Sequence, residues 1–333
     1  MEIYNLDNCA YSVKNGTFGG NSGDKEGILF NGDSWIVKYP KKGTGLKDVQ
    51  MSYTQSPLSE YLGSHVYQIL GYPVHETILG IRNNHLVVGC KDLCSKGETL
   101  IEFRQLKNAY NQTLSEKLDM SLSPTGDRHF TNFNEIAIHL KYNPLLRNVK
   151  GLNERFWDCI VIDGLINNND RNSGNWGIIR SEKEDRVCPV FDNGASFSPN
   201  VPEYRIAAKL IDQNKFIKSA CDGVTAYSLD GKNNARFVDL IKLDIEPLKK
   251  AIEKNVPLIT EKMPEIQKMI TEIPESFEGY TVMTKERKEA YKKELAARTQ
   301  FILVPQYEKN HTTVSERTTD VQYEVSKSRK GRR

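Results

Sequence analysis

The sequence predicts an α+β protein of two unequal lobes, a small β-rich amino-terminal lobe carrying one helix and a large, mainly helical carboxy-terminal lobe. Three observations predict it. Residues 1–95 alternate short β-type runs with Asn/Gly turns around a single amphipathic stretch; from about residue 100 apolar side chains recur three and four apart; and the polar loop INNNDRNSGNW, which ends one of those helical stretches, leads into two short β runs. The chain has 333 residues, enough for two lobes of roughly 150 residues, each able to bury a core. Its 38% hydrophobic, 9% aromatic and 27% charged residues are those of a folded globular chain.

In order along the chain, Gly16, Gly19, Gly20 and Gly23 punctuate a loop, after which GILF (27–30) and WIVKY (35–39) flank the turn NGD and predict a hairpin. Ser56-Pro57 opens a helix in which Leu58, Leu62, Val66, Ile69 and Leu70 recur at helical spacing, and Gly71 supplies its stop. Two further β runs, 74–81 and 85–90, straddle the turn Asn83-Asn84. Helices are then expected over 100–120, 132–142, 152–167, 203–219, 234–253, 259–272 and 284–302, with β runs at 176–179 and 187–191. These patterns divide the chain into an N-lobe over 1–95, a helical C-lobe over 96–304 and a basic tail over 305–333 with no periodicity.

Composition excludes several function classes. The opening MEIYNLDNCA has no leader-like character and no stretch reaches the ~20 apolar residues of a membrane span, so a cytoplasmic start and no membrane partner are expected. Six scattered cysteines without CxxC spacing argue for free thiols. The formal charge of +3 is matched by that of residues 305–333 alone, so the body carries no basic field and no direct nucleic-acid contact is expected.

Chemistry concentrates in NNNDRNSGNWGII…PVFDNGASF. Asp170 and Asn175 are five apart, and Asp192 follows a β run 22 residues after Asp170. Phosphoryl transfer needs this set: a carboxylate to orient a hydroxyl (Asp170), an amide oxygen for Mg²⁺ (Asn175), and a second carboxylate bridging metal and phosphates (Asp192). The same Asp-x4-Asn spacing at Asp127 to Asn132 lacks the helix before it and the strand-end Asp after it, and reads as a decoy. Upstream, Lys38 lies in a strand that can reach phosphates, and Glu60 borders the buried face of the next helix, where it can pair with that lysine. The loop FGGNSGDKEG, with Gly19, Gly20, Asn21, Ser22 and Gly23, can turn backbone N–H groups to phosphates, and Lys25 adds charge. It fits neither a Walker pattern nor a strict G-x-G-x-x-G. Glycine loop, Lys38, Glu60, Asp170/Asn175 and Asp192 occur in the order of a two-lobed, protein-kinase-like fold.

With these residues placed, the chain resembles the HipA-type Ser/Thr kinases of bacterial toxin–antitoxin pairs and, more specifically, the secreted, proinflammatory CtkA-like kinases. The likeness runs through FGGNSGDKEGILF, WIVKYP, SEYLGSHVYQILGYPVHETILG, VVGCKD, NNNDRNSGNWGIIR and PVFDNGASF, about residues 15–200. It implies ATP and Mg²⁺ as cofactors, Asp170 as catalytic base, Asn175 and Asp192 as metal ligands, Lys38 as phosphate-binding lysine with Glu60 as partner, and Cys90, Lys91 and Asp92 as the adenine-facing hinge. It also implies a Ser/Thr acceptor, with Tyr an open second acceptor, autophosphorylation, and a toxin or effector role. Phe18 stands where HipA-type kinases carry an autophosphorylated serine, so that control is in doubt here; Thr17 and Ser22 are its neighbours.

Two other readings compete. DRNSGNW also resembles the D-R-x-x-x-N-W segment of type II phosphatidylinositol 4-kinases, although the chain has no palmitoylation run or basic amphipathic helix to meet a membrane. A pseudokinase acting as a binding partner is the non-enzyme reading, against which the complete set of motif residues argues. The terminal KSRKGRR fits a nuclear-targeting signal less well than a solvated tail, and export by a non-standard route is left open.

Overall fold

The computed structural model describes residues 1–16, 25–46, 51–126 and 131–312. Strands β1 (Ile3–Asn5), β2 (Lys25–Phe30), β3 (Asp33–Lys38), β4 (Thr77–Arg82) and β5 (His85–Lys91) form one sheet in the order β1-β4-β5-β3-β2. All neighbours are antiparallel except β1 and β4. Both tight hairpins use residues that tolerate positive φ: Asn31 and Gly32 at 51° and 84°, Asn83 and Asn84 at 49° and 60°.

Alternation along β3 sends Trp35 and Val37 into a small core with Leu6, Ile28 and Val87, and leaves Ile36 and Lys38 on the other face. That other face receives α1 (Ser56–Ile69), whose Leu58, Leu62 and Val66 join Leu79 and Val88 in the main core. Gly71, at φ 78°, ends the helix, as its place in the sequence predicts.

The remainder is largely helical. β6 (Thr99–Glu102) occupies the first residues of the stretch expected to be helical from 100, and α2 (Phe103–Leu118) follows through a capping box between Glu102 and Gln105. Next come β7 (Thr131–Asn132), α3 (Phe133–Tyr142), α4 (Pro144–Arg147) and α5 (Leu152–Ile166). Asn132, half of the decoy spacing, caps α3 by accepting from the backbone of Asn134 and Glu135; Asp127 lies outside the described residues. Helix α5 is buried almost all round, and its glycine at 164 admits the ring of Phe237 where any Cβ would collide. β8 (Gly177–Arg180) pairs with β6 and with β9 (Asp185–Val187).

Two expected helices divide and two merge. The 203–219 stretch breaks where Asp212 caps a new helix, giving α6 (Glu203–Ile211) and α7 (Gln213–Cys221). β10 (Tyr227–Ser228) pairs with β7, and only the four-residue α8 (Phe237–Leu240) precedes the long α9 (Glu246–Glu272). Pro257 and Pro264 sit inside α9 on its exposed side, where water can satisfy the carbonyls they free, so 246–272 is one helix rather than two.

A hairpin of β11 (Ser276–Phe277) and β12 (Tyr280–Thr281) leads to α10 (Lys285–Arg298). Pro305 does not end the helical region: a π turn at Thr299–Leu303 accommodates it and the helix continues to residue 312. The first eight residues of the expected irregular tail are therefore helical; residues 313–333 lie outside the description. Buried Arg287 ties α10 to Glu203 and the Val201 carbonyl, and buried Arg298 reaches the carbonyls of Ala220 and Leu165.

Candidate active site

Between the sheet lobe and the helical lobe lies a cleft of about 840 Å³ walled by Ile36, Lys38, Cys90, Asp92, Asn175 and Asp192, among others. Its centre is an ion-pair cluster. Lys38 Nζ donates to Glu60 Oε2 at 2.8 Å and to Asp192 Oδ1 at 2.9 Å. Strand alternation turns Lys38 to the cleft, α1 lays Glu60 against it with 1% exposure, and the loop after β9 delivers Asp192. Glu60 Oε1 is held by the backbone N–H of Asn193 at 2.8 Å and lies 3.1 Å from His75 Nε2.

The charges sustain one another. Burial opposes the Lys38 ammonium, but the Asp192 and Glu60 carboxylates together hold its pKa well above the usual lysine value. Burial likewise opposes ionised Glu60, and the adjacent Lys38 and His75 override it, keeping this carboxyl below the usual range. Lys38 also holds Asp192 down.

The loop 167–176 is built on α5. Asp163, in the last turn of that helix, accepts from Arg171 Nε at 2.9 Å and Nη2 at 3.1 Å. Arg171 Nη1 also donates to the carbonyls of Asn175, at 3.2 Å, and Phe191, and Nη2 donates to Asn193 Oδ1 at 2.5 Å. All five guanidinium N–H groups are thereby engaged. Asn175 donates its amide to the Asp170 carbonyl at 2.5 Å, which leaves its Oδ1 as the atom able to meet a cation. Asp170 itself is exposed at the edge of this loop, outside the residues walling the cleft, with its carboxylate accepting from Asn172 Nδ2 at 2.9 Å. Crowding by the loop raises its pKa; the Asn172 hydrogen bond pulls it back and the charge of Asp192 adds to the rise.

Trp176 packs beneath the loop as a core residue, stacked on Phe103 at 4.0 Å between ring centroids. The expected hinge, Cys90 to Asp92, lies at the end of β5. Cys90 is buried on the Lys38 face, whereas the Lys91 ammonium is ion-paired with Asp33 and Glu76. Asp92 shapes the turn, accepting from Cys94 N–H and from Lys14, a residue whose role has no signature in the sequence. Lys25 lines the cleft; Gly19, Gly20, Asn21, Ser22 and Gly23 lie outside the described residues. All six cysteines are free.

Asp163, Arg171, Asn193, Ser64 and His75 were not singled out from sequence. A lone carboxylate in the apolar run CIVIDGLI was the available signal for Asp163.

No protein-family model matches the chain. The curated serine/threonine-protein kinase CtkA of Helicobacter pylori is 35% identical over 197 residues, which cover 59% of this chain and 56% of the relative. The match thus spans little more than half of that protein's length. The crystal structure of the H. pylori proinflammatory kinase CtkA superposes with a TM-score of 0.80 and 26% identity, covering 94% of this chain and 99% of that one. HipA from a Shewanella oneidensis toxin–antitoxin complex with HipB and operator DNA shares the fold alone, with a TM-score of 0.51 at 12% identity over 88% of this chain and 69% of that one. Over part of its length by sequence, and over nearly all of it by fold, the chain is similar to the H. pylori kinase CtkA, and it shares a kinase-like fold with HipA.

Proposed function

We propose that this chain is an ATP- and Mg²⁺-dependent serine/threonine protein kinase. The observation that carries the reading is Lys38 clasped by Glu60 at 2.8 Å and Asp192 at 2.9 Å in the wall of an interlobe cleft, with Asn175 in the same wall. An ammonium fixed by a buried carboxylate is a phosphate ligand of defined position.

Asp192 and Asn175 offer a carboxylate and an amide oxygen, hard donors of the kind Mg²⁺ takes. The ion, when bound, neutralises charge building on the phosphates. Lys38 holds the nucleotide's phosphate oxygens, Glu60 keeps the ammonium from following them, and Asp170 orients the acceptor hydroxyl and takes its proton. The raised pKa of Asp170 moves it toward the range useful to a general base. Rate acceleration comes from positioning and charge neutralisation more than from proton transfer.

The test is transfer of label from γ-labelled ATP by purified protein, beside Asp170→Ala and Asp192→Ala, with a generic Ser/Thr protein acceptor and, separately, phosphoinositide vesicles. Label on protein, on the acceptor or on the enzyme itself, that both variants lose by at least about 10²-fold supports the proposal. Label on lipid, or ATP binding without transfer, sinks it.

A further inference from the structure

We infer that Asn193 is a positioning residue that locks α1 to the loop bearing Asp170 and Asn175, and through that lock sets the geometry in which Asp192 meets the metal. The inference rests on the kinase reading above and goes beyond its set of catalytic groups.

Asn193 has no exposed surface, and its polar groups join three parts of the site. Its backbone N–H donates to Glu60 Oε1 at 2.8 Å, and its Nδ2 donates to Ser64 Oγ, one turn further along α1, at 3.0 Å. Its Oδ1 accepts from Arg171 Nη2 at 2.5 Å, and its carbonyl accepts from Ser196 N–H at 3.0 Å. One amide side chain therefore spans the lobes: α1 on one side, and on the other the guanidinium that also holds the Asn175 and Phe191 carbonyls. Backbone shape makes this possible. Asp192 adopts φ 58°, a left-handed turn that sends its carboxylate to Lys38 and the next N–H to Glu60.

Helix α1 is shaped to receive this residue. A Cβ on Gly63 would lie 2.7 Å from Asn193 Cβ and 3.1 Å from Ser196 Oγ, so a glycine is what lets the helix close on the loop. Ser64, beside it, also lies 2.9 Å from His75 Nε2, which continues the polar chain back to Glu60. A merely space-filling residue needs neither the glycine socket nor partners on both lobes. A lock of this kind acts on Asp192 from both sides, because Lys38 holds its carboxylate while Glu60, Arg171 and Ser64 fix the residue after it.

The experiment uses the full chain and compares wild type with Ser64→Ala, Gly63→Ala and Asn193→Leu. It measures kcat, KM for ATP, and the Mg²⁺ concentration giving half-maximal rate, with thermal melting as a control for folding. Independently of transfer, it measures how far Mg²⁺ strengthens binding of a fluorescent ATP analogue. Positioning predicts that Asn193→Leu lowers kcat about 10²-fold and raises the Mg²⁺ requirement about tenfold, with metal-free ATP-analogue affinity within about twofold. Ser64→Ala and Gly63→Ala move both quantities the same way by about three- to tenfold. If Asn193→Leu fails to fold, the two milder variants decide. Variants that fold, keep the wild-type Mg²⁺ dependence and stay within twofold of its kcat would overturn the inference. Should wild type bind the analogue but transfer to no protein, the kinase reading fails by itself, and the Mg²⁺ effect on analogue binding still judges Asn193.

Discussion

Glu60 carries more of the site than its single charge suggests, because its two oxygens serve Lys38, His75 and the Asn193 backbone at once. Removing one partner from a buried ion pair costs about 3–5 kcal/mol. Glu60→Gln should therefore lower unfolding free energy by about 3 kcal/mol in urea titration and reduce kcat about 10²-fold, since Lys38 is left to Asp192. Asp170 makes a separate prediction through pH. Its raised pKa places the acid limb of kcat/KM above the ~3.9 of an ordinary aspartate, with activity falling as pH drops through it. The Asn172 amide lowers that pKa, so Asn172→Ala should shift the limb to higher pH in a steady-state profile; an unmoved limb assigns it to another group. Lys38, Glu60 and Asp192 were legible from sequence because strand alternation, helix periodicity and chain order each constrain one of them. Asn193 was not, because its side chain answers to Ser64, 129 residues away, and such a partnership leaves no local pattern.

Among the elements, what sequence showed well was whatever local chemistry decides: the hairpins at Asn31-Gly32 and Asn83-Asn84, and the glycine stop after α1. Sequence failed where the environment decides. The interval between the helices expected over 234–253 and 259–272 reads as a break, yet Pro257 within it lies on the water-facing side of one continuous α9; the 203–219 stretch reads as continuous, yet Asp212 begins a second helix by accepting from the Lys215 N–H. Packing of α5 against α8 is equally hidden, since nothing near Gly164 announces Phe237. An added Cβ there would come within 1.9 Å of that ring. Overpacking of this kind costs about 1–3 kcal/mol, and Gly164→Ala should lose at least that much stability in denaturant titration while leaving KM for ATP near wild type.

For the whole molecule, the ion-pair cluster predicts how stability follows pH. Glu60 and Asp192 titrate below their unfolded values, so their contribution is complete above the ordinary carboxylate pKa of ~4 and is lost as pH falls through the depressed folded values. Lys38 titrates above its unfolded value, so its contribution holds below ~10.4 and is lost as pH rises beyond that toward its folded value. Unfolding free energy should be level between these limits as far as this cluster governs it, and Glu60→Gln should flatten the acid slope measured by urea titration at successive pH values. The two-lobed α+β architecture was readable from the change of hydrophobic period near residue 100. The long-range closures that hold the lobes were not.

Arg298 gives one of those closures a meaning in time. Its guanidinium donates to the Leu165 carbonyl at 2.9 Å, across 133 residues of chain, at the end of the helix that launches the loop of Asp170. A protein made from its amino terminus on the ribosome acquires the residues from Lys38 to Asp192 long before it acquires Arg298. The candidate site is therefore finished from behind, by a part of the chain that emerges more than a hundred residues after the helix it secures, and a nascent chain stopped short of Arg298 holds every motif of the site without this brace on the end of α5.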